Sequence, residues 1–406
     1  MSLRRHIFIL LVAAFLGSVL LYACKEKYTP NVNDINPNYF VVEGLINTGS
    51  DSTLFTLSRT FNLDKKAVVA PEKGAIVQVE SDAGSTYVLP ELVKSGNYGR
   101  PALNLDQTKK YRLRIRTKDN KEYLSDFVES KTSPPVGDVT LDFRNNLVNV
   151  QVNTQDPSGK SKYYMYSYIE TWEQQTQHKS LYKVENHQIL PRKFPEEDIF
   201  TCWRTVNSSN IVLGATTSLT EDRLEDRTLI AIPAKSTKLT IMYSILVKQT
   251  VLTKEAFDFW EALRKNTESV GSIFDVQPSQ LVGNIICTTN PAEVVIGFIS
   301  AGTTTQTRFW IKPTMLPEGY WHSKDRIASC FDQDAFESIL FFDPRFGNNQ
   351  VISRLIGPDK PDHVPIDEIW SSGNPSIHLG YSATSVLECV DCRLQGGVNK
   401  MPAYWK

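Results

Sequence analysis

Tyr163-Tyr164-Met165-Tyr166-Ser167-Tyr168-Ile169-Glu170-Thr171-Trp172 is the stretch on which the fold turns. In an extended chain Tyr164, Tyr166, Tyr168 and Trp172 share one face, because side chains alternate sides with a period of two. Aromatic and β-branched residues suit a pleated, half-buried surface, so the segment reads as a long strand. Its aromatic face has two possible uses. It fills the core of a β-sandwich, the usual use of Tyr and Trp on such a face. Otherwise it stands exposed as a ladder that stacks on a sugar or peptide, and Tyr164, Tyr166, Tyr168 and Trp172 are then ligand or partner contacts.

Further strands lie on both sides. Upstream, Ser133-Pro134-Pro135 marks a stiff boundary. Val139, Leu141 and Phe143 alternate after it, Val148, Val150 and Val152 follow, and Asp156-Pro157-Ser158-Gly159 makes a turn. Downstream, Leu239, Ile241, Tyr243, Ile245 and Val247 alternate, and strands are expected at 294–300 and 308–312. A Pro-rich opening, two alternating strands and an aromatic third resemble a fibronectin type III sandwich, expected over 134–312. A polar insertion, 173–236, interrupts it, and such a long insertion is usually functional or mobile. One helix is expected at 253–266: Thr253 caps it, Glu255 suits the positive end of the helix dipole, and Ala256, Phe259, Trp260 and Leu263 form an apolar stripe, widened by Phe257. The stripe marks a helix packed on a sheet rather than a cofactor box.

A smaller β-sandwich, immunoglobulin-like or carboxypeptidase-regulatory-like, is expected over 39–133. Phe40-Val41-Val42-Glu43-Gly44-Leu45-Ile46 reads as a buried strand, and Thr53, Phe55 and Leu57 alternate with their neighbours, as do Ala75, Val77 and Val79. Tyr111, Leu113 and Ile115 alternate strictly with Arg112, Arg114 and Arg116. That arginine comb either binds an anion or is the solvated face of a sheet, where charge blocks edge pairing. The fold class is therefore mainly β, with tandem sandwiches, one surface helix and, over 313–406, an irregular region wrapped on the second sandwich.

The start of the chain sets the compartment. Arg4, Arg5 and His6 precede an uncharged apolar run, 7–21, that ends in Leu21-Tyr22-Ala23-Cys24. A basic start, a short apolar core and a small residue make a secretory leader. A span needs about 20 apolar residues, and this run falls at or below the short limit. A cysteine just after the small residue looks like a lipobox: 1–23 is removed and Cys24 is lipidated. Several acyl chains hold a protein stably where one holds it marginally, so the polar, proline-bearing 24–38 becomes a tether from a bilayer.

In an oxidising compartment the other cysteines pair. Cys287 lies in an apolar run and is nominated as the free thiol. Cys202, Cys330, Cys389 and Cys392 are left as disulfide candidates, with three connectivities open. Cys389-Val390-Asp391-Cys392 lacks the βαβ setting of a thioredoxin site and the second close pair of a zinc site, which leaves structural disulfide chemistry.

No pattern carries catalysis. The histidines are scattered, H-E-x-x-H and G-x-S-x-G do not occur, and no glycine loop suits a phosphate. No catalytic residue, metal or cofactor is expected, and the protein is read as not an enzyme. A net charge of −1 argues against nucleic-acid binding and against long-range steering.

Phe40 to Gly44, Leu57-Ser58-Arg59-Thr60, Tyr243-Ser244-Ile245-Leu246-Val247-Lys248-Gln249, Phe259-Trp260-Glu261-Ala262-Leu263, Gly271-Ser272-Ile273-Phe274-Asp275 and the tail from Cys389 to Trp405 together resemble one family. It is the Bacteroidota outer-membrane lipoproteins with domain of unknown function 4249, commonly encoded beside TonB-dependent receptors. The resemblance implies an outer-membrane accessory or binding lipoprotein, facing the cell surface more than the periplasm, that works with such a receptor in substrate capture or uptake. The alternatives are a structural or adhesive envelope lipoprotein, or a hydrolase with an unrecognised site.

Overall fold

The computed structural model describes residues 38–60, 70–218, 221–268, 283–320, 330, 337–341, 349, 351–356 and 363–406. The leader, Cys24, the tether up to 37 and the loop with Ile273-Phe274-Asp275 and Gln277-Pro278 lie outside them. The strands and helices of the described residues belong to one compact unit, Tyr39–Arg59 with Ala70–Lys406.

The first sandwich is built from β1 (Phe40–Asn47), β2 (Thr53–Arg59), β3 (Ala70–Pro71), β4 (Ile76–Ser81), β5 (Thr86–Leu89), β6 (Asn97–Arg100), β7 (Lys110–Arg116), β8 (Glu122–Ser125) and β9 (Val128–Lys131). β1, β3 and β6 pair with β2; β4 pairs with β5 and β7; β8 and β9 pair with β7. The period-two pattern places Phe40, Val42, Phe55 and Leu57 from one side against Val77, Val79, Leu113, Ile115 and Tyr123 from the other, in one buried cluster. Removing this apolar surface from water, at roughly 25 cal/mol per Å², holds the layers together.

The second sandwich uses β10 (Val139–Arg144), β11 (Leu147–Gln155), β12 (Tyr163–Gln175), the small hairpin β13 (Tyr182–Glu185) and β14 (Gln188–Pro191), then β15 (Thr201–Asn207), β16 (Val212–Ala215), β17 (Arg223–Pro233) and β18 (Tyr243–Val251). After it come α1 (Lys254–Glu268), β19 (Ile285–Cys287), β20 (Val295–Ile296), β21 (Ala301–Gly302) and β22 (Thr304–Ile311). One sheet runs β10-β11-β17; the facing sheet runs β15-β12-β18-β22, with β16 also on β12. This is the fibronectin-like arrangement, and its core joins Val148, Val150, Val152, Leu229 and Ile232 to Tyr164, Tyr166, Tyr168, Tyr243, Ile245 and Val247.

Two expectations about domain layout give way here. Residues 173–236 are not an insertion as a whole, since β15, β16 and β17 are sandwich strands. The polar sequences of β15 and β17 conceal this because both strands show water an exposed face, and β16 is a largely buried run of only four residues. Nor is 134–312 contiguous. β19 pairs with β8, β20 and β21 pair in parallel with β1, and β21 also pairs with β9. The chain leaves the second sandwich, completes the first, and returns as β22 against β18.

The last third is more regular than its sequence implies. β23 (Glu337–Leu340), β24 (Val364–Trp370) and β25 (His378–Thr384) form an antiparallel sheet in the order β23-β25-β24. Tyr182 and Ile189 of the β13–β14 hairpin pack on its cluster of Ile339, Val351, Leu355, Tyr381 and Ala383. The tail then runs along β15, where Trp203 and Val398 exchange backbone hydrogen bonds. Trp405 is buried, stands edge-on to Trp310 and donates from Nε1 to Glu173.

Candidate functional site

A concavity lies where the two sandwiches meet. It measures about 670 Å³, within the usual range for small-molecule sites. Each wall has a local cause. Lys110 opens β7, Lys131 closes β9, and Asp126, Phe127, Val128 and Glu129 lie on or just before β9. Across from them are Lys160 and Lys162, in the approach to β12, and Thr253, Lys254 and Glu255 at the start of α1. Tyr163, Leu252 and Phe298 supply apolar surface.

The loop that carries Lys160 and Lys162 is held by one carboxylate. Asp156 Oδ1 accepts from the backbone N–H and hydroxyl of Ser158, and Oδ2 accepts from the N–H of Ser161. Gly159 takes φ +65°, which favours glycine. Burial pushes the Asp156 pKa up, but the hydrogen bonds from Ser161 and Ser158 outweigh it and hold the group down at about 2.

The helix is placed equally firmly. Thr253 Oγ1 accepts from the N–H of Ala256, which satisfies one donor of the first turn. Ala256, Phe257 and Trp260 pack on Leu213, Leu252, Tyr163 and Met165, so α1 covers the outer face of β12. On the opposite wall, Asn284 donates from Nδ2 to Ile299 O at 2.9 Å and accepts from Ile299 N–H at 2.7 Å. Ser133 donates its hydroxyl to Thr303 O and accepts from Val251 N–H. These bonds fix the walls at the crossing between the sandwiches.

The charges are unevenly matched. Glu129 pairs with Lys131 at 3.1 Å, and Lys254 pairs with Asp258 outside the cleft. The Lys131 partnership, with Lys110 nearby, holds the Glu129 carboxyl below its ordinary range. Lys110, Lys160 and Lys162 form no ion pair among the described residues.

Sequence reasoning does not find this site. Its lysines come from four separate segments, none with a local motif, and only the tertiary fold brings them to one cleft. The aromatic face of β12, by contrast, is core. Tyr164, Tyr166, Tyr168 and Trp172 are 0, 1, 5 and 5 % exposed, so their rings are closed to a ligand or partner and the contact role falls away. Their hydroxyls are engaged internally: Tyr166 donates to Thr154, which donates to Gln249, and Tyr168 donates to Asn210. Trp172 lines a smaller depression of about 240 Å³, but Arg204 and Lys238 already lie over its ring. Two arginines of the comb are paired, Arg112 and Arg114 both reaching Glu80 and Arg114 also Glu122, while the exposed Arg116 donates to the Asn120 side-chain oxygen.

The cysteines pair as Cys202–Cys392 and Cys330–Cys389, and Cys287 is a buried free thiol. The two cysteines of the C-x-x-C stretch therefore bond to separate distant partners, not to each other. Among the described residues no group of three or more His, Cys, Asp or Glu could hold a metal ion, and no helix is long and apolar enough to cross a membrane.

A family model described as "Domain of unknown function (DUF4249)" matches residues 25–308. Comparison with curated proteins finds no match. Among solved structures, the selenomethionine-substituted chicken interferon gamma receptor alpha chain is similar at 12 % identity, covering 52 % of this chain and 87 % of that one, with a TM-score of 0.15. A two-domain fibronectin type III segment of chicken tenascin is similar at 14 % identity, covering 53 % and 92 %, with a TM-score of 0.16. The fold itself rests on the strand pairing described above.

Proposed function

The chain belongs to the DUF4249 family, and from that premise we propose that it is an envelope-anchored binding lipoprotein. It is tethered through Cys24 to the outer membrane and serves a TonB-dependent receptor in substrate capture or uptake. The observation that carries the binding role is the cleft of about 670 Å³ between two sandwiches joined by crossing strands. A site with fixed walls loses little freedom on binding, which favours affinity. Two disulfides of long sequence separation, 190 and 59 residues, suit an oxidising compartment, as does the leader ending at Ala23-Cys24.

Purification from native membranes in mild detergent, followed by mass spectrometry, tests this reading. A large β-barrel partner and an acylated amino-terminal Cys24 are the expected results. A solitary monomer with an uncut leader overturns it. Protease shaving of intact cells then separates surface from periplasmic placement.

A further inference from the structure

We propose that the cleft between the sandwiches binds a small, multiply anionic molecule with a planar or ring-shaped face, which its lysines hold by charge and its aromatic rings by stacking. Five lysines line it against three carboxylates, Asp126, Glu129 and Glu255. One of those carboxylates is spent on Lys131, and Glu255 sits in the first turn of α1, where the helix dipole offsets its charge. Lys160 and Lys162 form no ion pair among the described residues, and Lys110, opposite Glu129 in the β7–β9 ladder, forms no direct one. They come from opposite walls, so a counter-charge placed between them meets ammonium groups from both sides.

The apolar part of the lining sets the rest of the ligand. Phe127 is 39 % exposed, and Arg112 lies over one face of its ring at 4.6 Å. Phe298 and Tyr163 are half-buried and border the same space. Aromatic faces beside ammonium groups suit a charged saccharide or a nucleotide, whose rings offer flat surfaces next to carboxylates or phosphates. Lysine is a strongly hydrated point charge with no fixed fork geometry, so the cleft recognises the amount of negative charge more than its shape. Carboxylate and phosphate bearers share that chemistry.

The inference deepens the binding role proposed above and leaves the receptor partnership to its own test. Isothermal titration of the folded chain with tri-galacturonate, with ATP and with neutral maltotriose separates the carboxylate source, the phosphate source and uncharged binding. At least one anion is expected to bind, and more weakly as salt rises from about 50 to about 500 mM. The variant Lys110→Gln/Lys160→Gln/Lys162→Gln should weaken that binding about tenfold or more. A charge-matched control, Lys73→Gln/Lys118→Gln/Lys312→Gln, alters exposed lysines outside the cleft and should change it less than about twofold. Absence of anion binding up to millimolar concentration, equal binding of maltotriose, or equal loss in both triple variants overturns the proposal. Thermal unfolding of each variant verifies that the fold is intact. Absence of anion binding by the unaltered chain while the β-barrel still co-purifies refutes only this inference.

Discussion

Glu170 shows how much can hang on a single carboxylate. It lies in the aromatic strand β12 at 4 % exposure, accepting from Lys238 Nζ at 2.7 Å and from the Tyr243 hydroxyl at 3.0 Å. Burial and this carboxylate push the Tyr243 phenol far above its ordinary range. Lys238→Ala strands the charge and should cost about 2–3 kcal/mol, less than a fully buried pair because the lysine is partly in water. Urea unfolding measures it. Replacing both members, as Glu170→Leu/Lys238→Met, should recover most of the loss, since apolar pairs of similar size often match a buried ion pair. Asp156 gives a pH signature with a defined sign. Its folded pKa, about 2, lies below its ordinary 3.8, so its contribution is complete above 3.8 and fades as pH falls toward 2. The Ser158 and Ser161 amide signals should therefore hold steady from neutral pH down to that window and shift within it. Movement already at pH 6 would show that the carboxylate does not anchor the Lys160–Lys162 loop.

Among elements, α1 depends on its first turn. Thr253→Ala removes the bond to the Ala256 N–H and should cost about 1 kcal/mol, read as a lower urea midpoint with an unchanged slope. The tail depends on its staple. Cys392→Ser opens a disulfide that closes 190 residues of chain, and losses of about 2–5 kcal/mol are typical for such bonds. The bond anchors a segment otherwise held to β15 by Trp203–Val398 backbone bonds and by Trp405. Limited proteolysis should accordingly cut Cys392→Ser within the final residues while β12 and β18 stay protected. Uniform degradation would mean that the tail supports the entire second sandwich. The helix and the long strands were plain from residue spacing, because a period of 3.6 or of two is a local property. The staple connectivity was not, because each cysteine of the Cys389–Cys392 pair bonds to a residue supplied by another element.

For the whole molecule, the return of 283–302 matters most. β19, β20 and β21 complete the first sandwich from a segment that follows most of the second, and Glu293 there bonds Arg59, Lys121 and Tyr123. A chain ending at residue 133 should thus fail to fold, with weak dispersion of its amide spectrum, and the intact chain should unfold in one cooperative step by calorimetry. Two separate transitions would refute the interlocking. From sequence alone came the mainly β class, the two sandwiches, the helix with its cap, the even-numbered aromatic face of β12 and the buried thiol Cys287. Alternation and capping are written in neighbouring residues, so their physics is complete within a few positions. Tertiary structure decided that the aromatic face is core, which cysteines join, that β19–β21 return to the first sandwich, and that lysines from four distant segments surround one cleft. Each of these depends on contacts between residues far apart in the chain, where burial and proximity follow from packing and no local pattern records them.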